Sequence, residues 1–199
     1  MITGCYRGRR LRAPSGRDTR PILDRVKVSL FDWLGARLAQ PGRLPPLNVL
    51  DLFCGSGSLG IEALSRGAAF CAFVEAGLKA FQCLQGNIDD LRIGSAARAY
   101  NRPAETIQVR PPDNSAFSLI FLDPPYRLSE DITPGSVMSR VAGRLGCDIP
   151  VESDAIIVWR HAADCNLPGV LPGKWASSER RVWGTMAVTM YERSPQVPR

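Results

Sequence analysis

The stretch Leu47-Asn-Val-Leu-Asp-Leu-Phe53 decides the fold of this chain, together with the segment that follows it, Cys54-Gly-Ser-Gly-Ser-Leu-Gly60. The first seven residues form an apolar run of strand length. The glycines then have the spacing G-x-G-x-x-G, and we predict a helix from about Leu59 to Arg66. Glycine permits a tight turn and close approach of a ligand to the backbone, so this unit indicates a cofactor-binding loop.

The sequence on either side of this unit alternates between strand and helix patterns. Strands are predicted at 70–74, 97–100, 117–122 and 155–159, and an antiparallel pair at 180–186 and 187–191. Helices are predicted at 23–38, 78–91 and 133–145, with a short helix at 103–109. This alternation predicts an α/β, Rossmann-like fold: a doubly wound, mostly parallel sheet with an antiparallel closing strand.

The chain divides into three parts. Residues 1–22 form a small basic amino-terminal arm, which we expect to be a short hairpin. Residues 23–193 form the main domain, with a helix at 23–38, a linker at 41–46 and the Rossmann-like core at 47–193. Residues 194–199 are expected to be a disordered tail.

Formal charge is concentrated in the arm and the start of the helix that follows it. Eight basic and two acidic residues lie in positions 1–27, which therefore carry the whole net charge of +6. A concentrated arginine cluster beside a neutral body is typical of binding to phosphate backbones, although a solvated basic tail would look similar. The candidate RNA-binding residues are Arg7, Arg9, Arg10, Arg12 and Arg20.

Composition argues against several other classes of protein. The longest apolar runs have the length of strands, so we expect no membrane span, and the amino terminus has no apolar core of a signal peptide. The six cysteines are scattered and only one histidine, His161, accompanies them, so we expect neither a metal site nor disulfides. A cytoplasmic protein is the simplest expectation.

Polar residues follow the predicted strands at the edge where parallel strands place ligands. Asp51 ends the first strand before the glycines, where an acid suits the cationic amino-acid part of S-adenosylmethionine and would repel a pyrophosphate. Glu75 ends the second strand at the distance expected for an acceptor of ribose hydroxyls. We therefore predict S-adenosylmethionine as cofactor, with S-adenosylhomocysteine as its product. The candidate cofactor-binding residues are Asp51, Phe53, Gly55, Gly57, Glu75, Asn101 and Asp123.

The motif Asp123-Pro124-Pro125-Tyr126 follows the buried strand at 117–122. The amino group of a nucleic-acid base is a poor nucleophile because its lone pair is delocalised into the ring. A carboxylate and a backbone carbonyl can accept its two N–H bonds, and two prolines make a stiff turn with exposed carbonyls. The aromatic ring of Tyr126 offers a face for a flipped-out base. We take these four residues as the candidate catalytic set of an amino-directed methyltransferase; a plain strand-ending turn is the alternative.

Several further segments carry a resemblance to a known family. They are Gly4-Cys-Tyr-Arg-Gly-Arg-Arg-Leu11, Thr19-Arg-Pro21, Asp24-Arg-Val26 and Leu30-Phe-Asp-Trp-Leu34, together with residues 50–66 and 123–126. With these segments the chain resembles the bacterial 16S ribosomal RNA guanine-N2 methyltransferases of the RsmD type. The resemblance implies a monomeric enzyme that methylates one guanine of 16S ribosomal RNA in the assembling small subunit. It also implies that S-adenosylmethionine lies near Asp51 and Glu75, with the guanine amine at Asp123.

Four positions depart from that family's pattern: Ile22 and Val28 stand where the family usually has Thr and Glu, and Ala76-Gly77 replace a more polar pair after Glu75. Two other functions also fit part of the sequence. One is a DNA or RNA methyltransferase acting on adenine N6 or cytosine N4, since the motif at 123–126 does not by itself select the base. The other is a ribosome-assembly protein that binds RNA without catalysis.

Overall fold

The structure is a computed structural model that describes residues 1–14, 24–38 and 40–193. Arg20, Ile22 and the tail at 194–199 lie outside the described residues, and so does residue 23, where the first helix was predicted to begin. Within the described part, no helix is both long enough and apolar enough to span a membrane.

Eight strands, counted over the described residues, form one sheet in the order β3-β2-β1-β4-β5-β8-β7-β6. The strands are β1 Asn48–Leu52, β2 Phe70–Val74, β3 Ala97–Tyr100, β4 Phe117–Leu122, β5 Val151–Ala162, β6 Val170–Leu171, β7 Trp175–Trp183 and β8 Met186–Arg193. Strands β1 to β5 are parallel, whereas β6, β7 and β8 pair antiparallel. The helices are α1 Asp24–Arg37, α2 Ser58–Arg66, α3 Leu78–Leu91, α4 Tyr126–Ser129 and α5 Val137–Arg144. The predicted doubly wound, mostly parallel sheet is therefore confirmed.

Each face of the sheet packs against its own hydrophobic core, because successive side chains of a strand point to opposite faces. Along β1, Val49 belongs to one core and Leu50 to the other. Helices α1, α2 and α3 cover the first face, with Leu34, Ile61 and Leu84 buried there. Helix α5 covers the second face. The glycine loop and the first-face helices therefore meet at one edge of the sheet.

The strand and helix patterns next to the glycine loop match the structure closely, and the differences lie farther along the chain. The helix expected at 103–109 is absent; a single turn closes where Thr106 N–H bonds Pro103 O at 3.3 Å. The apolar spacing that suggested it comes from Ala104, Ile107 and Val109, which this irregular segment buries against the second core.

The helix predicted at 133–145 begins at Val137 instead. Gly135 adopts a φ of +87°, which ends the preceding turn, and the Ser136 hydroxyl accepts the Ser139 N–H at 3.2 Å as an N-cap. The closing pair is confirmed, but its turn lies at residues 184–185, where Gly184 has a φ of +61°. Helix α4 and strand β6 were not predicted, since both are too short for periodicity to show.

Residues 1–14, the described part of the arm, contain no strand, where a short hairpin was expected. Gly4 and Gly8 both have a φ of +81° and close a compact turn, in which Gly8 N–H bonds Met1 O at 3.0 Å. The turn lies on the protein surface, where Cys5 N–H bonds the Ser65 carbonyl of α2 at 3.0 Å. These bonds to the helical layer satisfy backbone groups that a second strand would otherwise have paired.

Candidate active site

The predicted polar residues lie side by side at the carboxyl edge of the sheet, because β3, β2, β1 and β4 are consecutive neighbours. Backbone bonds continue the strand pairing past the strand ends: Glu75 N–H donates to Tyr100 O at 3.1 Å, and Asp123 N–H to Leu52 O at 3.3 Å. Asn101, Glu75, Asp51 and Asp123 thus follow one another across this edge. These four polar residues therefore share one edge of the sheet, as the order of the parallel strands predicted.

Asp51 is buried, with 1% of its surface exposed. Its Oδ2 accepts the Gly60 N–H at 2.9 Å, whereas its Oδ1 has no hydrogen-bond partner among the described residues. Burial raises the pKa of this carboxyl to about 8; the Gly60 N–H opposes the shift, and the nearby Asp123 and Glu75 carboxylates add to it. The site therefore contains a buried acid with one oxygen that still requires a donor.

The glycine loop has a backbone that few other residues would adopt. Phe53 has a φ of 59° although it has a side chain, and Gly55 and Gly57 have φ values of 57° and 86°. Such left-handed conformations are costly outside glycine and tend to persist at functional sites. Gly60 is required for a different reason, since a Cβ there would lie 2.9 Å from Asp51 Oδ2 and 2.4 Å from Phe73 Cε1. The loop thus passes directly over the buried acid.

Glu75 and Asn101 hold the neighbouring loops in place. The Glu75 carboxylate accepts the Gly55 N–H at 2.9 Å and the Gly77 N–H at 2.6 Å. Asn101 Nδ2 donates to the carbonyls of Glu75 at 2.8 Å and Ala76 at 3.0 Å. Each carboxylate oxygen has two lone-pair sites, so Glu75 keeps capacity for further donors while it fixes the loop.

These features fit the charges and hydroxyls of S-adenosylmethionine. A buried carboxylate oxygen without a donor suits an ammonium group, and a half-buried carboxylate at the next strand end suits a ribose hydroxyl. The open space around a Cβ built on Gly55 leaves the loop accessible, since no heavy atom lies within 4 Å of that position. Among the described residues, no group of three or more His, Cys, Asp or Glu side chains could hold a metal ion.

The motif at 123–126 lies at the same edge as Asp51, because β4 is the neighbour of β1 in the sheet. The Asp123 side chain is 18% exposed, Pro124 is buried, and Pro125 is the N-cap residue of α4. Tyr126 is half-buried at the first position of that helix. The rigid turn therefore holds the Asp123 carboxylate and the Tyr126 ring at the same edge of the sheet.

Arg160 is a residue of this site that the sequence reasoning missed. It lies near the end of β5, and its Nε donates to Asp123 Oδ1 at 2.5 Å. Burial raises the pKa of Asp123, and the Arg160 guanidinium opposes this shift by its charge and its hydrogen bond. A cation directly after the buried run at 155–159 was the available signal, because β5 ends at the same edge as β4.

The arginines of the arm lie on the outer surface of the first-face helices. Arg7, Arg9, Arg10 and Arg12 are all exposed. Arg12 forms a bidentate pair with Asp90 of α3, in which Nε and Nη2 each donate at 2.9 Å, and Arg9 Nη2 donates to the Asp90 carbonyl at 3.0 Å. Residues 1–14 of the arm are therefore bonded to the domain and do not form the free tail considered from the sequence; Arg20 lies outside the described residues.

A buried ion pair attaches the start of the arm. Glu62 is fully buried in α2 and accepts the N–H groups of Ile2 and Thr3, each at 3.1 Å. Arg66 Nε donates to the same carboxylate at 2.9 Å, which compensates its charge. Ser65 adds two bonds, because its hydroxyl accepts the Tyr6 N–H at 3.0 Å and donates to Thr3 O at 2.5 Å. The sequence offered no sign of these contacts.

Comparison with known proteins shows relatives along nearly the whole chain. The chain is 31% identical to the ribosomal RNA small subunit methyltransferase D of Escherichia coli strain K12, over 98% of this chain and 90% of the relative. The solved structure of the Escherichia coli protein yhhF superposes with a TM-score of 0.77 at 30% identity, covering 98% of each chain. An RNA methyltransferase from Salinibacter ruber, solved with S-adenosyl-L-homocysteine, has the same fold at 12% identity, with a TM-score of 0.59 over 90% of this chain and 97% of that one.

The model of the family described as conserved hypothetical protein 95 matches residues 1–192. Together with the near-complete coverage of the Escherichia coli relative, this match confirms the resemblance read from the sequence: the chain belongs to the RsmD family of ribosomal RNA methyltransferases.

Proposed function

We propose that this chain transfers the methyl group of S-adenosylmethionine to the exocyclic N2 amine of a guanine in 16S ribosomal RNA, in the assembling small ribosomal subunit. One observation carries the proposal. The buried Asp51 Oδ1, which has no hydrogen-bond partner among the described residues, and the Asp123-Pro124-Pro125-Tyr126 turn lie at the carboxyl ends of the neighbouring parallel strands β1 and β4. A site for the ammonium group of the cofactor therefore adjoins a site for an amine.

The cofactor contacts follow from this arrangement. Asp51 would accept the ammonium group, Glu75 the ribose hydroxyls, and the loop at Gly55 and Gly57 would lie against the rest of the molecule. When bound, S-adenosylmethionine supplies a methyl group already activated by its sulfonium. The protein's own contribution is then proximity and orientation of the amine.

Asp123 performs the central task in the proposed reaction. Its Oδ1 is held by Arg160, so its other oxygen is the one directed to an N–H of the amine. The Pro124 carbonyl accepts the second N–H, and the lone pair of the nitrogen is then turned out of conjugation. Transfer leaves a proton on the methylated nitrogen, and the Asp123 carboxylate is the acceptor in contact with it. Tyr126 stacks on the base.

The arm is the proposed contact for the RNA backbone. Arg7 and Arg10 are exposed and lie close in the chain to the backbone groups that Glu62 and Ser65 bind, so their backbone is held on the domain. Each arginine that neutralises a phosphate of a single strand should contribute about 0.7 to the slope of log affinity against log salt. We expect the double variant Arg7→Gln/Arg10→Gln to flatten that slope, whereas Arg43→Gln, on the linker before β1, should leave it unchanged. An equal slope in both variants would remove the arm from the RNA contact.

The test of the whole proposal uses unmodified small subunits and naked 16S ribosomal RNA with labelled S-adenosylmethionine. The methylated nucleoside is then identified after digestion. We expect label in N2-methylguanosine at one position. Label in N6-methyladenosine or N4-methylcytidine would instead support the alternative methyltransferase, and RNA binding without label in any nucleoside would indicate the non-catalytic assembly protein.

A further inference from the structure

Asn87 of α3 connects two regions that the proposed function uses separately. Its Nδ2 donates to the carbonyl of Ser56, in the middle of the glycine loop, at 2.9 Å. The same amide nitrogen donates to Arg12 O at 3.1 Å, and its Oδ1 accepts the Arg12 N–H at 2.7 Å. One side chain, 1% exposed, therefore binds the loop and the arm at once.

The bond to Ser56 matters for the shape of the loop. Gly55 N–H is held by Glu75 at 2.9 Å, and Gly57 N–H by the Cys54 carbonyl at 2.8 Å. The Ser56 carbonyl lies in the same peptide plane as the Gly57 N–H, so Asn87 and the Cys54 carbonyl hold the two sides of that plane. Without Asn87 the plane would keep only one of these two hydrogen bonds, and the left-handed conformations of Gly55 and Gly57 would lose one of their constraints.

Asn87 contacts the arm as closely as it contacts the glycine loop. Asn87 satisfies both backbone groups of Arg12, while the Arg12 side chain is paired with Asp90 one turn along the helix. The backbone of α3 also leaves room for the arm, since a Cβ at Gly86 would lie 2.6 Å from Arg12 Nη1. The arm therefore packs directly on α3 at Asn87, the residue that also holds the glycine loop.

We propose that Asn87 is a positioning residue that fixes both the conformation of the cofactor loop and the position of the RNA-binding arm on α3. The inference rests on the proposed function, because it takes the loop as the cofactor site and the arm as the RNA site. Its consequence is linkage: RNA that engages the arm strengthens binding of the cofactor, and the cofactor strengthens binding of RNA by the same factor.

The variants that test this role are Asn87→Ala and the milder Asn87→Ser, whose hydroxyl is too short to span the loop and the arm. Ser65→Ala is the matched control, because Ser65 also makes two hydrogen bonds to the arm from a buried position but does not contact the glycine loop. In the ligand-free protein, hydrogen exchange of the amides at residues 54–58 should be faster in the Asn87 variants and unchanged in Ser65→Ala.

Binding of S-adenosylhomocysteine to the full chain gives the second measurement. Its Kd should rise about tenfold in Asn87→Ala, as expected when a buried carbonyl loses its donor, and stay at the wild-type value in Ser65→Ala. With a saturating 16S ribosomal RNA fragment, the wild-type Kd should fall about fivefold, and this gain should disappear in the Asn87 variants. In turnover, KM for S-adenosylmethionine should rise more than kcat falls.

Equal exchange rates and equal Kd values in the Asn87 and Ser65 variants would overturn the inference, as would an RNA effect of the same size in wild type and Asn87→Ser. These outcomes differ from a failure of the proposed function. In that case the wild-type protein transfers no methyl group to small-subunit RNA, while the exchange and Kd measurements without RNA still report on Asn87.

Discussion

Lowering the pH from 7 to 6 should weaken the binding of S-adenosylhomocysteine to the ligand-free protein by about ninefold. The reason is Asp51, whose buried carboxyl has a pKa of about 8. An acid with this pKa is ionised in about one molecule in eleven at pH 7 and about one in a hundred at pH 6. Since the ammonium group of the ligand requires the ionised form, the apparent affinity should follow that fraction.

The sign of this effect is fixed by the direction of the shift. Burial favours the neutral form of Asp51 in the free protein, and an ammonium beside Oδ1 favours the charged form, so binding must release a proton. At pH 7 about 0.9 protons should leave per ligand bound. The ammonium of the ligand belongs to a free amino acid, whose own carboxylate favours the charged form, so it stays protonated over this window and does not mask the effect.

Isothermal titration calorimetry in two buffers of different ionisation enthalpy measures both quantities. Asp51→Asn is the matched control, because its amide oxygen can still accept the Gly60 N–H while it has no proton to release. Its Kd should be weak and nearly constant from pH 6 to 7. A wild-type Kd that is equal at both pH values, with no proton released, would refute the assignment of Asp51 to the ammonium group.

Three further predictions concern the neighbouring residues. Asp123→Ala should reduce single-turnover methyl transfer by at least about a hundredfold and leave the Kd for S-adenosylhomocysteine nearly intact; unchanged turnover would contradict the proposed mechanism. Arg160→Met should move the acid limb of the rate–pH profile to higher pH, because it removes the charge that lowers the pKa of Asp123; an unmoved limb would show that this ion pair does not control ionisation. Gly60→Ala places a Cβ 2.4 Å from Phe73 Cε1 and should lower the free energy of unfolding by about 1–3 kcal/mol, or the Tm by about 2–12 °C. The control Gly94→Ala, with no atom within 4 Å, should keep the wild-type melting temperature, and equal melting of both variants would contradict the packing argument.

Local sequence patterns were sufficient for the central part of the fold. The runs that became β1, β2 and β4 are continuous and apolar because parallel strands are buried on both faces, and the structure buries each of them as that pattern requires. The edge shared by Asp51, Glu75, Asn101 and Asp123 followed from the same reasoning, since parallel strands bring their carboxyl ends together. The short helix at 103–109 was wrong because apolar spacing alone cannot distinguish a helix from an irregular segment packed on a sheet.

The sequence by itself determined the parallel part of the sheet, the glycine loop and the family, because strand burial, glycine spacing and the family segments at 4–34, 50–66 and 123–126 are all local in the chain. Only the tertiary structure decided how these parts are held. Arg160 meets Asp123 across 37 residues, and Asn87 meets Arg12 across 75. Such contacts form when whole helices and strands pack together, so the periodicity of a local segment does not predict them. The raised pKa of Asp51 was also decided by the tertiary structure, because its cause is burial. The sequence shows only an aspartate at the end of a strand.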